Sequence, residues 1–489
     1  MDIILAGYNL DYETIRSMGE ALPELISLTP ETVSAAYARI SRSPKPVDEL
    51  RAIARTEVEK ARQSNQNIVF EMGHSSIAEH AVFNIDVIGV SRLLVEEIEK
   101  FRLCSYTEKS QRYVLLSDDF VIPEEIRNTG MAEQFVQLVQ KQNAFYHKLY
   151  DKLRPHVFAK HPDLAEDPKN RGLLEGWAKE DARYILSMAT QTQLGMTLNA
   201  RNLELVMRRM AAHPLAEANE YGQKLHNVIK PIAPSLIRYT EKTDYDTRTG
   251  PDLKDKLGLF LKSLPEAGKT SPQTVAVSLI HTTPEADNRV LAAFVHTTTD
   301  RTATDCLQMA SALSPDQKEE IFRTAFRHMK SHDASPRELE CVDLTYDLIV
   351  SASCFAQLKR HRMATLLSQN YDPNLGVTIP ESIQEVGMAT AFGDMIGQTE
   401  DFYHKLLDAA PLVASYGLTN AHRKRVLMKI NARELYHIAR LRADRHAQWD
   451  IRNLAKEMIA QARAVMPLTL MMAIGKDDFA TRREEIYND

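Results

Sequence analysis

The stretch A-V-F-N-I-D-V-I-G-V alternates, with Phe83, Ile85 and Val87 on one side and Asn84 and Asp86 on the other. A period of two predicts a half-buried strand. The next segment, S-R-L-L-V-E-E-I-E-K-F-R, places Leu94, Ile98 and Phe101 at helical spacing, and a hydroxyl-rich loop follows. The same order returns later in the chain. Leu344, Tyr346, Leu348 and Val350 alternate, and S-A-S-C-F-A-Q-L-K-R-H-R predicts a helix opened by small capping residues. The cluster Lys359, Arg360, His361 and Arg362 is expected in the last turn of that helix, where exposed carbonyls favour positive charge.

A second element is also shared. Residues 198–214 and 430–450 both open with Asn-Ala-Arg and continue at helical spacing. In the later copy Leu435, Arg442 and Trp449 recur every seven residues, with Ile438, Ala439 and His446 on the same side. This predicts one helix over 431–465, with Arg442 and His446 set in an apolar stripe. M-D-I-I-L-A-G and Q-T-V-A-V-S-L-I-H read as the opening strands of two similar halves. Between them, T-E-K-T-D-Y-D-T-R-T-G-P-D-L-K-D is polar and contains Gly-Pro, and L-P-E-A-G-K-T-S-P is a further break. The expected organisation is a first domain over 1–240, a linker over 241–271 and a second domain over 272–489.

The totals narrow the class. The chain has 489 residues, 44% hydrophobic and 26% charged, which is ample for two globular domains. No apolar run reaches the ~18 residues needed to span a bilayer, and the N-terminus has no secretory pattern. No membrane partner and a cytoplasmic location are expected. A net charge of -6 argues against nucleic-acid binding, so the basic clusters need local explanations.

Several groups could carry chemistry. Arg433, Arg440, Arg442, Arg445 and His446 gather in one region, and a second cluster lies at 359–362. Snorkelling to water explains any one of them, but two clusters in an acidic chain point to an anion site. The loop T-E-K-S-Q-R-Y offers Ser110 and Arg112 beside backbone amides, as a phosphate cradle or an ordinary solvated turn. In G-H-S-S-I-A-E-H, the residues His74, Glu79 and His80 lie close together. A capped helix start accounts for that spacing as well as a metal would, and no metal is expected. The four cysteines form no zinc pattern. Cys104 lies in the basic loop and reads as a buried thiol in preference to a nucleophile.

Together these motifs resemble the flavin-dependent thymidylate synthase (ThyX) family. In the first half the resemblance rests on G-H-S-S-I-A-E-H, S-Y-T-E-K-S-Q-R-Y and N-A-R. In the second half it rests on K-R-H-R-M-A-T, N-A-R and L-R-A-D-R-H-A-Q-W-D. It implies an α+β fold of two tandem domains, each an antiparallel sheet packed with long helices. FAD is then the cofactor, and NADPH and methylenetetrahydrofolate are co-substrates. The substrate is dUMP or a related pyrimidine nucleotide, methylated at C5 without an enzyme cysteine. The implied substrate contacts are Glu108, Ser110, Gln111, Arg112 and Arg183 from the first half, and Gln357, Arg360 and Arg442 from the second. Arg442 is also the implied catalytic residue. The implied flavin contacts are Ser41, His74, Ser76 and Glu79, with Arg360, His361, Arg362, Asn431, Arg433, His437, Leu441 and His446.

Each half departs from the family pattern in a different place. The second half has Asn370 and Ser415 where the substrate-binding arginines are expected. The first half has Glu97 for the glutamine, Met210 near the L-R position and Pro214 near the histidine. The losses are complementary, so each site is expected to draw on one first half and one second half. The family is tetrameric, and a homodimer of this two-domain chain would imitate it. Two other readings are a relative acting on another pyrimidine nucleotide and a non-catalytic flavin- or nucleotide-binding protein.

Overall fold

The structure is a computed structural model that describes residues 1–11, 29–40, 43–71, 73–116, 118–263 and 275–487. The first-half strands are β1 (Asp2–Tyr8), β2 (Val82–Ser91), β3 (Ser105–Glu108) and β4 (Gln191–Asn199). Those of the second half are β5 (Val277–Thr282), β6 (Asp343–Ser351), β7 (Thr365–Tyr371) and β8 (Arg423–Asn431). They form two antiparallel sheets with the same order, β1-β2-β4-β3 and β5-β6-β8-β7. The helices used below are α1 (Arg92–Ile98), α2 (Ala132–Lys160), α3 (Arg171–Ala182), α4 (Ala200–Ala211), α5 (Ala216–Ile229) and α6 (Asp244–Ser263). The second half adds α7 (Pro315–Phe326), α8 (Ala352–Leu358), α9 (Ala389–Ala409), α10 (Ala432–Arg442), α11 (Trp449–Val465) and α12 (Phe479–Tyr487). The expected α+β class and tandem form hold.

The register repeats with the order. Ser105 opposes Thr197 in one sheet, and Thr365 opposes Lys429 in the other. Val82 opposes Asn199, and Asp343 opposes Asn431. One difference is local: β2 bulges between Ile88 and Val90, whereas β6 runs to Ser351 without a break. Gly89 sits in that bulge at φ +75, a conformation that a Cβ would oppose. As the alternation requires, Phe83, Ile85 and Val87 are buried in one sheet, and Leu344, Tyr346, Leu348 and Val350 in the other.

The chain divides into two compact units that do not follow the midpoint of the sequence. The first comprises Met1–Gly268 with Thr390–Leu418, and the second comprises Lys269–Ala389 with Thr419–Asp489. In the first unit, α9 lies along α2. Phe135 meets Phe402 at 6.1 Å between ring centroids, and Phe145 meets Phe392 at 6.5 Å, so the two helices run antiparallel. Gln142 Nε2 donates to Thr399 Oγ1 at 2.9 Å and to the Gly417 carbonyl at 3.0 Å. The hydroxyl of Tyr416 donates to the buried Glu217 at 2.6 Å, and Ser91 donates to the same carboxylate at 2.7 Å.

The polar stretch read as linker contains α6, which includes Pro251, and the break at 264–272 lies outside the described residues. Two local expectations are corrected. The predicted helix over 431–465 is two helices, α10 and α11. The break has a physical cause: Gln448 accepts from the Asp450 and Ile451 amides and starts α11 afresh. Asp444 Oδ1 also accepts from the His446 amide at 2.9 Å. Gly475 packs so closely there that a Cβ would come within 2.8 Å of the Ala443 carbonyl oxygen. Finally, the basic cluster lies just past the end of α8 and not in its last turn. Ser351 caps α8 by accepting from the Cys354 amide at 2.9 Å, as expected.

In the second unit, Phe322 and Phe326 of α7 are fully buried, and Phe326 stacks on Tyr436 of α10 at 5.8 Å. The Tyr436 hydroxyl donates to the Thr469 carbonyl at 2.9 Å. Phe326→Ala should cost ~3–5 kcal/mol through lost burial and the void left behind. A clear fall in the denaturant midpoint of the second unit is expected; an unchanged midpoint would show that Phe326 does not anchor α10.

Candidate active site

Asn431 ends β8 and begins α10, where its side chain accepts from the Glu434 amide at 2.8 Å. This cap fixes the first turn of α10, which carries Arg433, Glu434 and His437. Glu434 is buried, and so is His361 from the turn after α8. His361 Nδ1 lies 3.0 Å from Glu434 Oε1. Arg442 Nε donates to His361 Nε2 at 3.1 Å, and Nη2 donates to the Gln357 carbonyl at 3.3 Å. A guanidinium can only donate, so Nε2 must be the accepting nitrogen. The proton therefore sits on Nδ1 and points to Glu434. Burial pushes His361 below the ordinary histidine value, Glu434 opposes the shift, and Arg442 and His437 add to it. The ring is neutral and holds Arg442 in one plane.

His437 meets His361 edge-on at 5.6 Å, and burial, Arg440 and Arg442 lower its pKa against the pull of Glu434. Arg433 is tied down by Glu340 at 2.8 Å and by the Ser335 carbonyl at 2.9 Å. Beside these residues is a cavity of about 250 Å³ lined by Asn431, Arg433, Glu434 and His437, with Met329, Met472, Ile474 and Phe479 supplying apolar surface. Gln357 Nε2 donates to Gln448 Oε1 at 3.3 Å, which ties the end of α8 to the cap of α11. Arg360, Arg362, Leu441 and His446 are exposed, outside the lining of this cavity. His446 Nε2 lies 3.5 Å from Asp477.

The first unit holds the other predicted residues. Glu108 ends β3 and is buried, paired with Arg92 of α1 and 3.4 Å from Thr192 Oγ1. Ser110 accepts from the Arg112 amide at 3.1 Å, and Gln111 is buried. Arg112 pairs with Glu180 at the end of α3. Arg183 follows in a buried turn, where loss of solvent lowers its pKa and Glu180 partly restores it. Residues Arg112, Glu180 and Arg183 thus form one cationic cluster. His74 and Ser76 are exposed, and Glu79 pairs with Arg201 as Glu340 does with Arg433. Ser41 lies outside the described residues.

Positions where the first half departs from the pattern are occupied differently. Burial would raise Glu97, but His213 and Lys100 outweigh it and hold its pKa at about 2. Arg208 and Arg209 of α4 are both bound by Asp246 at the start of α6, at 3.5 and 3.1 Å. Sequence reasoning did not find Asp246, Glu434 or Gln448. Glu434 could have been suspected from its place three residues after a capping Asn, and Gln448 from the H-A-Q-W string.

Among the described residues, two groups have ligand atoms within 4.8 Å of one another: His361, Glu434 and His437, and Asp444, His446 and Asp477. Both nitrogens of His361 are already engaged, and Arg445 pairs with Asp477. A guanidinium beside each group opposes a second cation.

The profile of the thymidylate synthase complementing protein family (Thy1) matches residues 24–235 and again 278–468. The chain belongs to that family. It matches twice, so the expected membership and tandem form are both borne out. A flavin-dependent thymidylate synthase of Clostridium tetani is 31% identical over 214 residues, which is 43% of this chain and 82% of that protein. A UPF0159 protein of Chlamydia pneumoniae is 24% identical over 428 residues, 84% of this chain and 80% of its own length. It is similar to both halves together. A Helicobacter pylori flavin-dependent thymidylate synthase ThyX, solved with FAD and dUMP, covers 49% of this chain and 100% of its own, with 15% identity and a TM-score of 0.31. No helix among the described residues is long and apolar enough to cross a membrane.

A pH dependence follows from the neutral His361. A group that resists protonation in the fold contributes stability above its unfolded value of ~6.5. That stability is lost as pH falls through the lower, folded value. The melting temperature of the second unit should therefore hold from neutral pH upward and decline below ~6.5. His361→Asn should lower it at neutral pH yet flatten the acid decline. A variant profile parallel to the wild-type profile would mean that His361 is not the sensing group.

Proposed function

We propose that this Thy1-family protein transfers a methyl group to C5 of dUMP, giving dTMP, with FAD as cofactor, methylenetetrahydrofolate as carbon donor and NADPH as reductant. The observation that supports it most is the chain Glu434–His361–Arg442 beside the 250 Å³ cavity. The donor set suits a planar ring system: Asn431 and His437 offer polar edges, and Met329, Met472, Ile474 and Phe479 offer apolar faces. FAD would be held by Asn431, Arg433 and His437, with contributions from His361, Arg362, Leu441 and His446, and from Ser41, His74, Ser76 and Glu79 of a first half. When bound, the flavin supplies the redox chemistry.

The residues of this chain do the rest. Arg112 and Arg183 grip the phosphate of dUMP, with Ser110 and Gln111 orienting the loop, and the pair Arg92–Glu108 keeps β3 in place. Gln357, Arg360 and Arg442 face the pyrimidine. Arg442, held by His361, stabilises negative charge on the ring as C5 becomes nucleophilic. The cationic cluster belongs to the first half and the Arg442 chain to the second, so each working site joins unlike halves, and a homodimer carries two. A second reading is a different pyrimidine nucleotide, such as UMP.

The direct test is purification followed by flavin counting and an assay of dTMP from dUMP, methylenetetrahydrofolate and NADPH. One flavin per chain, with turnover on dUMP, is expected; clearly more than one would refute the division of sites, and turnover on UMP alone would favour the second reading. Arg442→Ala should lower dTMP formation at least ~100-fold while flavin stays bound. Retained turnover would remove Arg442 from the chemistry.

A further inference from the structure

Besides Arg112 and Arg183, one more cation of the first unit touches the loop that carries Ser110 and Arg112. Lys179 precedes Glu180 on α3, and its Nζ donates to the Tyr113 carbonyl at 3.3 Å. Gly176, Lys179, Glu180 and Arg183 stand at i, i+3, i+4 and i+7, so they share one face of α3 and the turn that follows it. That face lies along the loop. At Gly176 a Cβ would come 3.5 Å from the Arg112 carbonyl oxygen and 4.0 Å from the Tyr113 ring. Glu180 pairs with the Arg112 guanidinium, which lies 5.6 Å from the Tyr113 ring centroid.

The loop is tied at both ends. At its start the Lys109 amide donates to the Gln193 carbonyl of β4 at 2.9 Å. Within it the Arg112 amide donates to Ser110 Oγ at 3.1 Å, and the Val114 amide donates to the Ser110 carbonyl at 3.3 Å. At its end the tie is the charged side chain of Lys179. This lysine forms no ion pair among the described residues. Glu175, one turn before it, holds Arg154 and Arg171, each at 3.1 Å, and Glu180 holds Arg112. The charges of Glu180 and Asp181 also act on Arg183. The Lys179 ammonium lies 6.0 Å from the Tyr150 ring centroid, which taken alone is a lysine snorkelling over an aromatic face. The two halves argue for more. The string A-R-Y-I-L at 182–186 has its counterpart in A-S-Y-G-L at 414–418. Counting back from Arg183 and Ser415, Glu180 corresponds to Leu412, and Lys179 corresponds to Pro411. The half that lacks both phosphate-binding arginines therefore lacks this lysine as well.

We infer that Lys179 is a positioning residue for the nucleotide: it clamps the far end of the loop and so sets Ser110 and Arg112 in the shape that grips a phosphate monoester dianion. The clamp acts through the Tyr113 carbonyl. An ammonium donates three bonds and accepts none, so it satisfies this carbonyl without giving up its charge. That charge adds to those of Arg112 and Arg183 in attracting an anion. The inference rests on the preceding functional reading, which assigns a nucleoside monophosphate to this cluster.

The test is binding and turnover of dUMP by the flavin-loaded full-length protein and its Lys179→Met and Lys179→Arg variants. Methionine keeps an apolar stem and loses both the donor and the charge. Lys179→Met should raise the KM and the dissociation constant for dUMP about tenfold. Its kcat should stay within about twofold of wild type, because a group that holds substrate and transition state alike changes KM alone. Flavin content and melting temperature should not change. Lys179→Arg should recover most of the loss. Deoxyuridine, which lacks the phosphate, should bind wild type and Lys179→Met equally weakly. The clamp is overturned if Lys179→Met keeps its dUMP affinity within about twofold, or if kcat falls while KM holds. It is overturned as well if deoxyuridine loses as much as dUMP, if arginine recovers nothing, or if the melting temperature falls together with the affinity. Lys179-dependent binding of dUMP or UMP without a methylated product would sink the functional reading alone. Turnover of dUMP with an unchanged KM in Lys179→Met would sink the clamp alone.

Discussion

Arg442 and Glu434 lie on one face of α10, roughly two turns apart, and His361 from a different segment stands between them with one nitrogen for each. A neutral imidazole has one donor and one acceptor, and here each has a single possible partner. The arrangement therefore has a direction. It ties the turn after α8 to α10 and fixes the guanidinium plane. It also places His437 edge-on at the wall of the cavity. Protonating His361 would set two donors against each other at Nε2, so the cation–imidazole contact survives only while the ring is neutral. The Asn431 cap and the Phe326–Tyr436 stack hold α10 where this contact can form.

The two halves share one architecture but differ in the residues at matching positions. Their sheets agree in order and, apart from the bulge at Gly89, largely in register, yet Met210 stands where Arg442 would be expected, and Glu97 stands for Gln357. The first half also uses its helix cations differently, because Asp246 binds Arg208 and Arg209. What it keeps is the Arg112–Glu180–Arg183 cluster, in which a carboxylate holds two guanidinium groups near each other. The two copies thus carry different charges at matching positions on the same strand order.

Much of this was legible in the sequence because it is local. Alternation gave β2 and β6, and small polar residues marked the caps at Ser351 and Asn431. The motif strings pointed to His361 and Arg442. What was missed depends on contacts between distant segments. The break at 443–448 follows from Gly475 and Gln448, neither of which disturbs the seven-residue spacing of the apolar stripe. Glu434 looks like any helix glutamate until His361 is brought to it. The placement of Thr390–Leu418 in the first unit depends on Phe135 and Phe145 finding Phe402 and Phe392, which no local pattern announces.

That placement has a consequence for how the protein is made. The core of the first unit includes Phe392, Phe402 and Tyr416, which lie more than a hundred residues past its last strand. On a ribosome moving at ~5–20 residues per second, α2 emerges long before its partner α9. Its apolar face must wait, exposed or covered by chaperones, through the synthesis of most of the second unit. The ordinary order of domain-by-domain folding is closed to this chain, and neither half can be released from the other as an independent gene product without leaving a helix behind.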